Sequence, residues 1–275
     1  MDARLQRRVQ RYGWDLAAAA YETLWQAQLA EAQAALLALA ELAPGERVLD
    51  VASGTGLISF AAAQAVGPAG QVLGVDLSGK MIDAASDAAR RRGLGQVAFA
   101  RMDAESLDLA DASFDVVLCG LGLMYLPGPE QALREMRRAL RPGGRIALAV
   151  WGDRSRCGWA PLFEIVDAEV ASEVCPLFFR LGEGETLARL CSNAGFAVTS
   201  ARRIDATLAY ADAAQACAAA FVGGPVALAW SRLDIPARER VSTRYLEAIE
   251  PWRERRGYRV PGEFVVIAAR LRESP

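Results

Sequence analysis

The chain has no histidine and a single lysine, Lys80. The commonest general base and the commonest transition-metal ligand are therefore missing, and no metal site is expected. Charge of one sign is lacking too: 31 basic residues against 33 acidic ones leave a net charge of -2, without the basic footprint of a nucleic-acid binder. No apolar run reaches the roughly 18 residues of a membrane span, so no membrane insertion is expected. Met1 to Arg11 is charged and polar and does not read as a secretory signal. The five cysteines (Cys119, Cys157, Cys175, Cys191, Cys217) are odd in number and without CxxC spacing, which fits reduced thiols in a cytoplasm. With 275 residues, 53% hydrophobic and 23% charged, the chain can bury one large core.

What is present is organised as alternating strands and helices. Met1–Leu42 reads as helical, punctuated by Tyr12, Trp14, Tyr21 and Trp25, and ends at Pro44-Gly45. Val48–Val51, Gln71–Val75, Val97–Arg101, Phe114–Cys119 and Arg145–Val150 read as strands. Leu57–Val66, Met81–Arg92 and Pro129–Leu140 read as helices, with Ser78 as an N-cap. Arg141-Pro142-Gly143-Gly144 reads as a sharp turn. This alternation argues a parallel α/β sheet. Further on, Cys157–Val174, Glu185–Ala194, Asp212–Trp230 and Ala237–Arg253 read as helices, and Phe196–Leu208 and Glu263–Arg270 as strands. The helices between those last two strands are expected to cap the sheet's carboxyl edge.

The first strand ends in Asp50 and is followed by Gly54 and Gly56, whose missing side chains let a ligand approach the backbone. Asp76, at the end of the second strand, is placed to hold a ribose. A dinucleotide site wants a third glycine where Ser59 stands, and Asp50 would repel a pyrophosphate. A carboxylate there suits a ligand with an ammonium and a sulfonium, which is S-adenosylmethionine. A nicotinamide oxidoreductase is disfavoured on the same two residues.

Asp50-Val51-Ala52-Ser53-Gly54-Thr55-Gly56, Gly74-Val75-Asp76-Leu77-Ser78, Met102-Asp103-Ala104, Phe114–Cys119 and Leu140–Gly144 together resemble the successive motifs of class I S-adenosylmethionine-dependent methyltransferases, of the ubiquinone-biosynthesis-like small-molecule group. The resemblance covers about Arg47–Trp151. It implies a Rossmann-like, doubly wound, seven-stranded and mostly parallel sheet with an antiparallel last strand. It also implies a helical N-terminal lid (1–43), a cofactor-binding core (44–151) and a remainder bearing the substrate cap (152–275). Asp50, Ala52, Ser53, Gly54, Gly56 and Gly120 would surround the methionine part of the cofactor, Asp76 the ribose and Asp103 the adenine amino group. Leu77, Met81, Met102 and Ala104 would flank the adenine. Tyr12, Trp14 and Tyr21 would face the sulfonium from the lid, or else serve only to pack the helix on the sheet. Ala52 stands where the family often has a glycine. Met124 and Tyr125 stand where many relatives carry histidines, so histidine-based proton abstraction is excluded.

Tyr21 and Tyr125 are the candidate catalytic groups, and transfer would otherwise rest on alignment and exclusion of water. Phe178, Phe179, Phe221, Trp230 and Tyr245 are candidates for an apolar substrate cavity or for the cap's own core. The arginines of 134–141 read as solvated surface, and Cys119 as a buried small residue. The expected partner is a small, apolar or aromatic methyl acceptor, with S-adenosylhomocysteine as the product and a monomer or homodimer as the assembly. The alternatives are other adenosylmethionine chemistry on the same fold, or a non-catalytic binder of that cofactor.

Overall fold

Strand β1 (Arg47–Val51) is buried from Val48 onward, as the centre of a sheet covered on both faces requires. The computed structural model describes residues 2–170 and 178–272. Cys175 and the end of the helix expected over Cys157–Val174 lie outside the described residues. β1 pairs in parallel with β2 (Gln71–Asp76) on one side and β4 (Phe114–Gly120) on the other. β3 (Val97–Arg101) and β5 (Leu140–Trp151) continue the parallel run. β8 (Gly257–Leu271) is antiparallel to β5 and to β6 (Phe196–Tyr210). The order is β3-β2-β1-β4-β5-β8-β6, the doubly wound topology, with its switch point between β1 and β4. A two-residue strand, β7 (Arg253–Glu254), pairs with β8 and adds an eighth to the seven expected.

Helices α2 (Leu57–Val66), α3 (Gly79–Arg92) and α4 (Pro129–Ala139) are the crossovers, with bounds close to those read from the sequence. Ser78 caps α3, its Oγ accepting from Met81 N at 3.1 Å. The expected turn at Arg141–Gly144 is a bulge inside β5: Leu140 pairs with Phe114 and Arg145 resumes opposite Val116.

The second half departs further from expectation. Only Leu162–Asp167 (α5) is helical in the described part of Cys157–Val174. Gly158 N donates to Pro261 O at 2.9 Å, which ties this stretch to β8 as a loop. The helix expected over Asp212–Trp230 is broken into α7 (Ala213–Phe221) and α8 (Ala227–Ser231), α6 being Thr186–Asn193. Gly223, Gly224 and Pro225 fill the gap, and neither residue type favours a helix interior. α9 (Ile235–Ile249) stops short of Pro251. β8 pairs with β5 only from Phe264 to Arg270, but with β6 as far as Tyr258. The β6–β8 ribbon therefore runs past the end of β5 and carries α7–α9 over the carboxyl edge.

α1 (Ala3–Ala40) is one long helix with two jobs. Its second half buries Trp25, Leu29, Ala32, Leu36 and Ala40 in the core. Its end is held by Arg145, which donates from Nε to Ala40 O at 2.5 Å and from Nη2 to Glu41 O at 2.7 Å while pairing with Glu46. Its first half roofs the sheet's edge beside α3. Arg138, expected at the surface, instead pins the β3–β4 loop, donating to Leu107 O at 2.8 Å and Leu109 O at 2.6 Å.

Gly182 packs directly against the end of β5, where an added Cβ would fall on the carbonyl oxygens of Trp151 and Gly152. Backbone cannot swing aside as a side chain does. Gly182→Ala is expected to lower the unfolding free energy by about 1–3 kcal/mol, read from urea titration against the wild type.

Candidate active site

At the carboxyl ends of β1 and β2 the chain turns twice, and one carboxylate holds both turns. Asp76 Oδ2 accepts from Gly54 N at 2.9 Å and Oδ1 from Ser78 N at 2.8 Å. Burial still raises the Asp76 carboxyl above the usual range, and these two N–H bonds oppose that shift. Ala52 takes a left-handed conformation (φ 57°) in the first turn, which a non-glycine residue adopts at a cost of about 1–2 kcal/mol. Gly54 (φ 55°) also turns left-handed and leaves its Cα face open towards Tyr21.

Above these turns lies a cavity of about 1210 Å³, counted with its open mouth. Ala52, Gly54, Asp76, Leu77, Met81, Met102, Asp103, Ala104, Gly120, Tyr21 and Tyr125 all line it. Four residues expected at the cofactor do not. Tyr12 is exposed on the outer side of α1, beneath the guanidinium of Arg11, and is corrected to a surface residue. Gly56 (φ 89°) packs against Phe60 and Phe99, so its glycine serves the turn and the core. Ser53 turns its hydroxyl towards Gly74, inside the sheet. Asp50 is fully buried beneath the turn, and Ser59 Oγ donates to its Oδ2 at 2.5 Å while Oδ1 has no partner. Burial first, then the charge of Asp76, pushes the Asp50 carboxyl up to about 7 against the Ser59 hydrogen bond.

The end of the cavity at Asp103 is closed by contacts that motif reading missed. Arg7, from α1, reaches Asp103 (Nε–Oδ2 3.1 Å) and buried Glu105 (Nη2–Oε2 2.9 Å). Glu105 Oε1 in turn accepts from Gly128 N at 3.0 Å, so one arginine ties α1 to two loops. Gln10 lines the cavity beside Arg7.

The other end is aromatic. Tyr21, Trp14, Tyr125 and Phe178 form a chain of edge-on rings, with successive centroids 5.7, 5.1 and 5.3 Å apart. Trp25, Trp151, Trp159, Tyr210 and Tyr245 complete this end. Of the substrate-cavity candidates, Phe178 and Tyr245 line it, whereas Phe179, Phe221 and Trp230 do not. Phe221 stacks on Trp230 at 4.5 Å within the cap.

Burial, with Asp76 adding to it, raises the Tyr21 phenol above its ordinary value; burial alone does so for Tyr210, and burial chiefly for Tyr245. Near neutral pH these phenols stay protonated. Cys119 is fully buried and its thiol is pushed up to about 12 by burial, which makes it inert packing.

A doubly wound sheet with acids after β2 and β3 and a glycine-lined turn after β1, all on one cavity, defines a class I methyltransferase fold. The residues fit S-adenosylmethionine. Asp76 and Asp103 face the cavity, Gly54 keeps the backbone open there, and Asp50 Oδ1 is a buried oxygen with no hydrogen-bond partner among the described residues. The family model for the methyltransferase domain matches residues 48–144. The chain is 42% identical to the ubiquinone/menaquinone biosynthesis C-methyltransferase UbiE of Ectopseudomonas mendocina (strain ymp) over 109 residues, 39% of this chain and 43% of that one. The chain spans about half or less of the length of the curated relatives it matches first, 43% and 52%. In fold it is similar to the [4+2]-cyclase SpnF (TM-score 0.60, 22% identity, 91% of this chain and 83% of that one). It is also similar to the geranyl diphosphate C-methyltransferase of Streptomyces coelicolor A3(2) (TM-score 0.54, 15% identity, 88% and 78%). Among the described residues no helix is long and apolar enough to cross a membrane.

Asp50 has a pH consequence. Its folded value, about 7, lies above its ordinary 3.8. Its contribution to stability is thus fully present below the ordinary value and is lost as pH rises towards 7. Asp50→Asn is expected to gain stability relative to wild type between pH 4 and pH 8, by on the order of 1–3 kcal/mol. Urea midpoints of both proteins across that range check this, and a constant difference would reject it.

Proposed function

We propose that the protein is an enzyme that transfers a methyl group to a small, largely apolar or aromatic metabolite and releases S-adenosylhomocysteine. The observation that carries this reading is that Asp76 and Asp103 share one cavity whose far wall is aromatic. When bound, S-adenosylmethionine supplies an electrophilic methyl group on a sulfonium. Asp76 would accept from the ribose hydroxyls and Asp103 from the adenine amino group, with Leu77, Met81, Met102 and Ala104 flanking the base. Gly54, Gly120 and Ala52 would leave room for the methionine part. Trp14 and Tyr21 would offer ring faces to its positive charge.

The described residues lining the cavity include no carboxylate besides these two acids, and burial holds the phenols of Tyr21, Tyr210 and Tyr245 protonated. The acceptor therefore reacts through alignment and desolvation, and its proton leaves to solvent. α1, reaching Asp103 through Arg7, would serve as the lid over the core.

Calorimetric titration with S-adenosylhomocysteine, with NAD as the control, tests the cofactor reading. Micromolar binding of the former alone is expected, and Asp76→Ala should weaken it by about 1–3 kcal/mol, a factor of roughly 5–150. Absence of binding by the folded wild type would overturn the reading. Tyr21→Phe separates positioning from proton abstraction. A loss of kcat under about tenfold is expected, where removal of a general base would cost about 100–10,000-fold.

A further inference from the structure

The two acids that line the cavity are held differently. Asp76 is held by backbone N–H groups, whereas Asp103 is also met by a cation from another element. Asp103 Oδ1 accepts from Glu105 N in its own turn at 2.9 Å, and Oδ2 lies 3.1 Å from Arg7 Nε on α1. The Nε N–H is not in line with that oxygen, so charge rather than an aligned hydrogen bond joins the two. Arg7 Nη2 donates to Glu105 Oε2 at 2.9 Å, and the Glu105 side chain is buried. One guanidinium therefore sits between two acids two positions apart. Among the described residues no other cation pairs with either.

Glu105 is itself anchored. Its Oε1 accepts from Gly128 N at 3.0 Å, and Gln131 Nε2 donates to its carbonyl oxygen at 3.3 Å. Ion pairs between mobile side chains contribute little, because both must be immobilised. Here the buried glutamate has already immobilised the arginine, so Arg7 can orient Asp103 at small further entropic cost. A carboxylate oxygen offers two acceptor positions. Glu105 N takes one on Oδ1 and Arg7 lies at one on Oδ2, and both Arg7 and Asp103 line the cavity. An acceptor position is left for a donor on a ligand.

We propose that Arg7 is a positioning residue for the base of the cofactor. From α1 it fixes the Asp103 carboxylate for the exocyclic amino group of adenine, and so couples the seating of that helix to recognition of the base. The inference rests on the proposed placement of adenine at Asp103. A plain staple between α1 and two loops would act equally on every ligand of the cavity. A positioned acceptor acts only on a ligand that brings a donor to it.

The test is calorimetric titration of the full chain with S-adenosylhomocysteine and S-inosylhomocysteine, which carries a carbonyl oxygen in place of the amino group. Arg7→Met is expected to weaken the adenine compound about fivefold or more and the inosine compound less than about twofold. In an Asp103→Asn background the same substitution should change the affinity for S-adenosylhomocysteine by less than about twofold, because the residue through which Arg7 acts is already altered. If thermal melting shows that Arg7→Met does not fold, Arg7→Gln takes its place. If the inosine compound binds too weakly to titrate, the Asp103→Asn comparison decides alone. An affinity for S-adenosylhomocysteine within twofold of wild type or tighter, an equal loss for both compounds, or the full loss in the Asp103→Asn background overturns the proposal. Absence of S-adenosylhomocysteine binding by the folded wild type is a separate result, which overturns the proposed function and this inference with it.

Discussion

The Asp76 carboxylate is the point on which this site is built. By accepting the N–H groups of Gly54 and Ser78 it locks the turn after β1 to the turn after β2. Those turns make the cavity floor, and the N-cap at Ser78 sets where α3 starts. Ser78 Oγ also donates to Asp15 on α1 at 2.6 Å, so that helix is registered against the same corner. A neutral residue at 76 could accept one of these bonds but not balance two backbone donors and a ligand together.

That arrangement sets two acids close together in a dry corner. Burial raises the proton affinity of both carboxyls most, with the charge of Asp76 adding to it at Asp50 and that of Asp15 adding to it at Asp76. A buried carboxylate oxygen without a hydrogen-bond partner on Asp50 is a cost to the folded protein. The strained Ala52 backbone adds to the same pattern of local cost at a functional corner.

Much of this was legible in the chain because its signals are short-range. A buried apolar run, an acid, glycines and a helix follow one another within twenty residues around Asp50, and the same grammar recurs at Asp76. The inward residues of α1 were harder to read. Tyr12 and Tyr21 look alike in sequence, yet α1 turns one outward and the other into the cavity. Arg7 had no motif to betray it, since its partner Glu105 lies 98 residues away. Trp151 fell just past an expected strand and Trp159 within an expected helix. Ser59 was read only as a missing glycine, although its hydroxyl is the one side-chain donor to Asp50.

The sequence by itself determined the parallel core, the acids after its second and third strands, and a chemistry without imidazole. Those follow from residue type and local spacing, which propensity and turn geometry convert directly into structure. The tertiary structure alone decided which aromatic rings meet across the cavity and which phenols stay protonated. Desolvation and long-range packing are properties of neighbours, and neighbours are chosen only when distant segments come together.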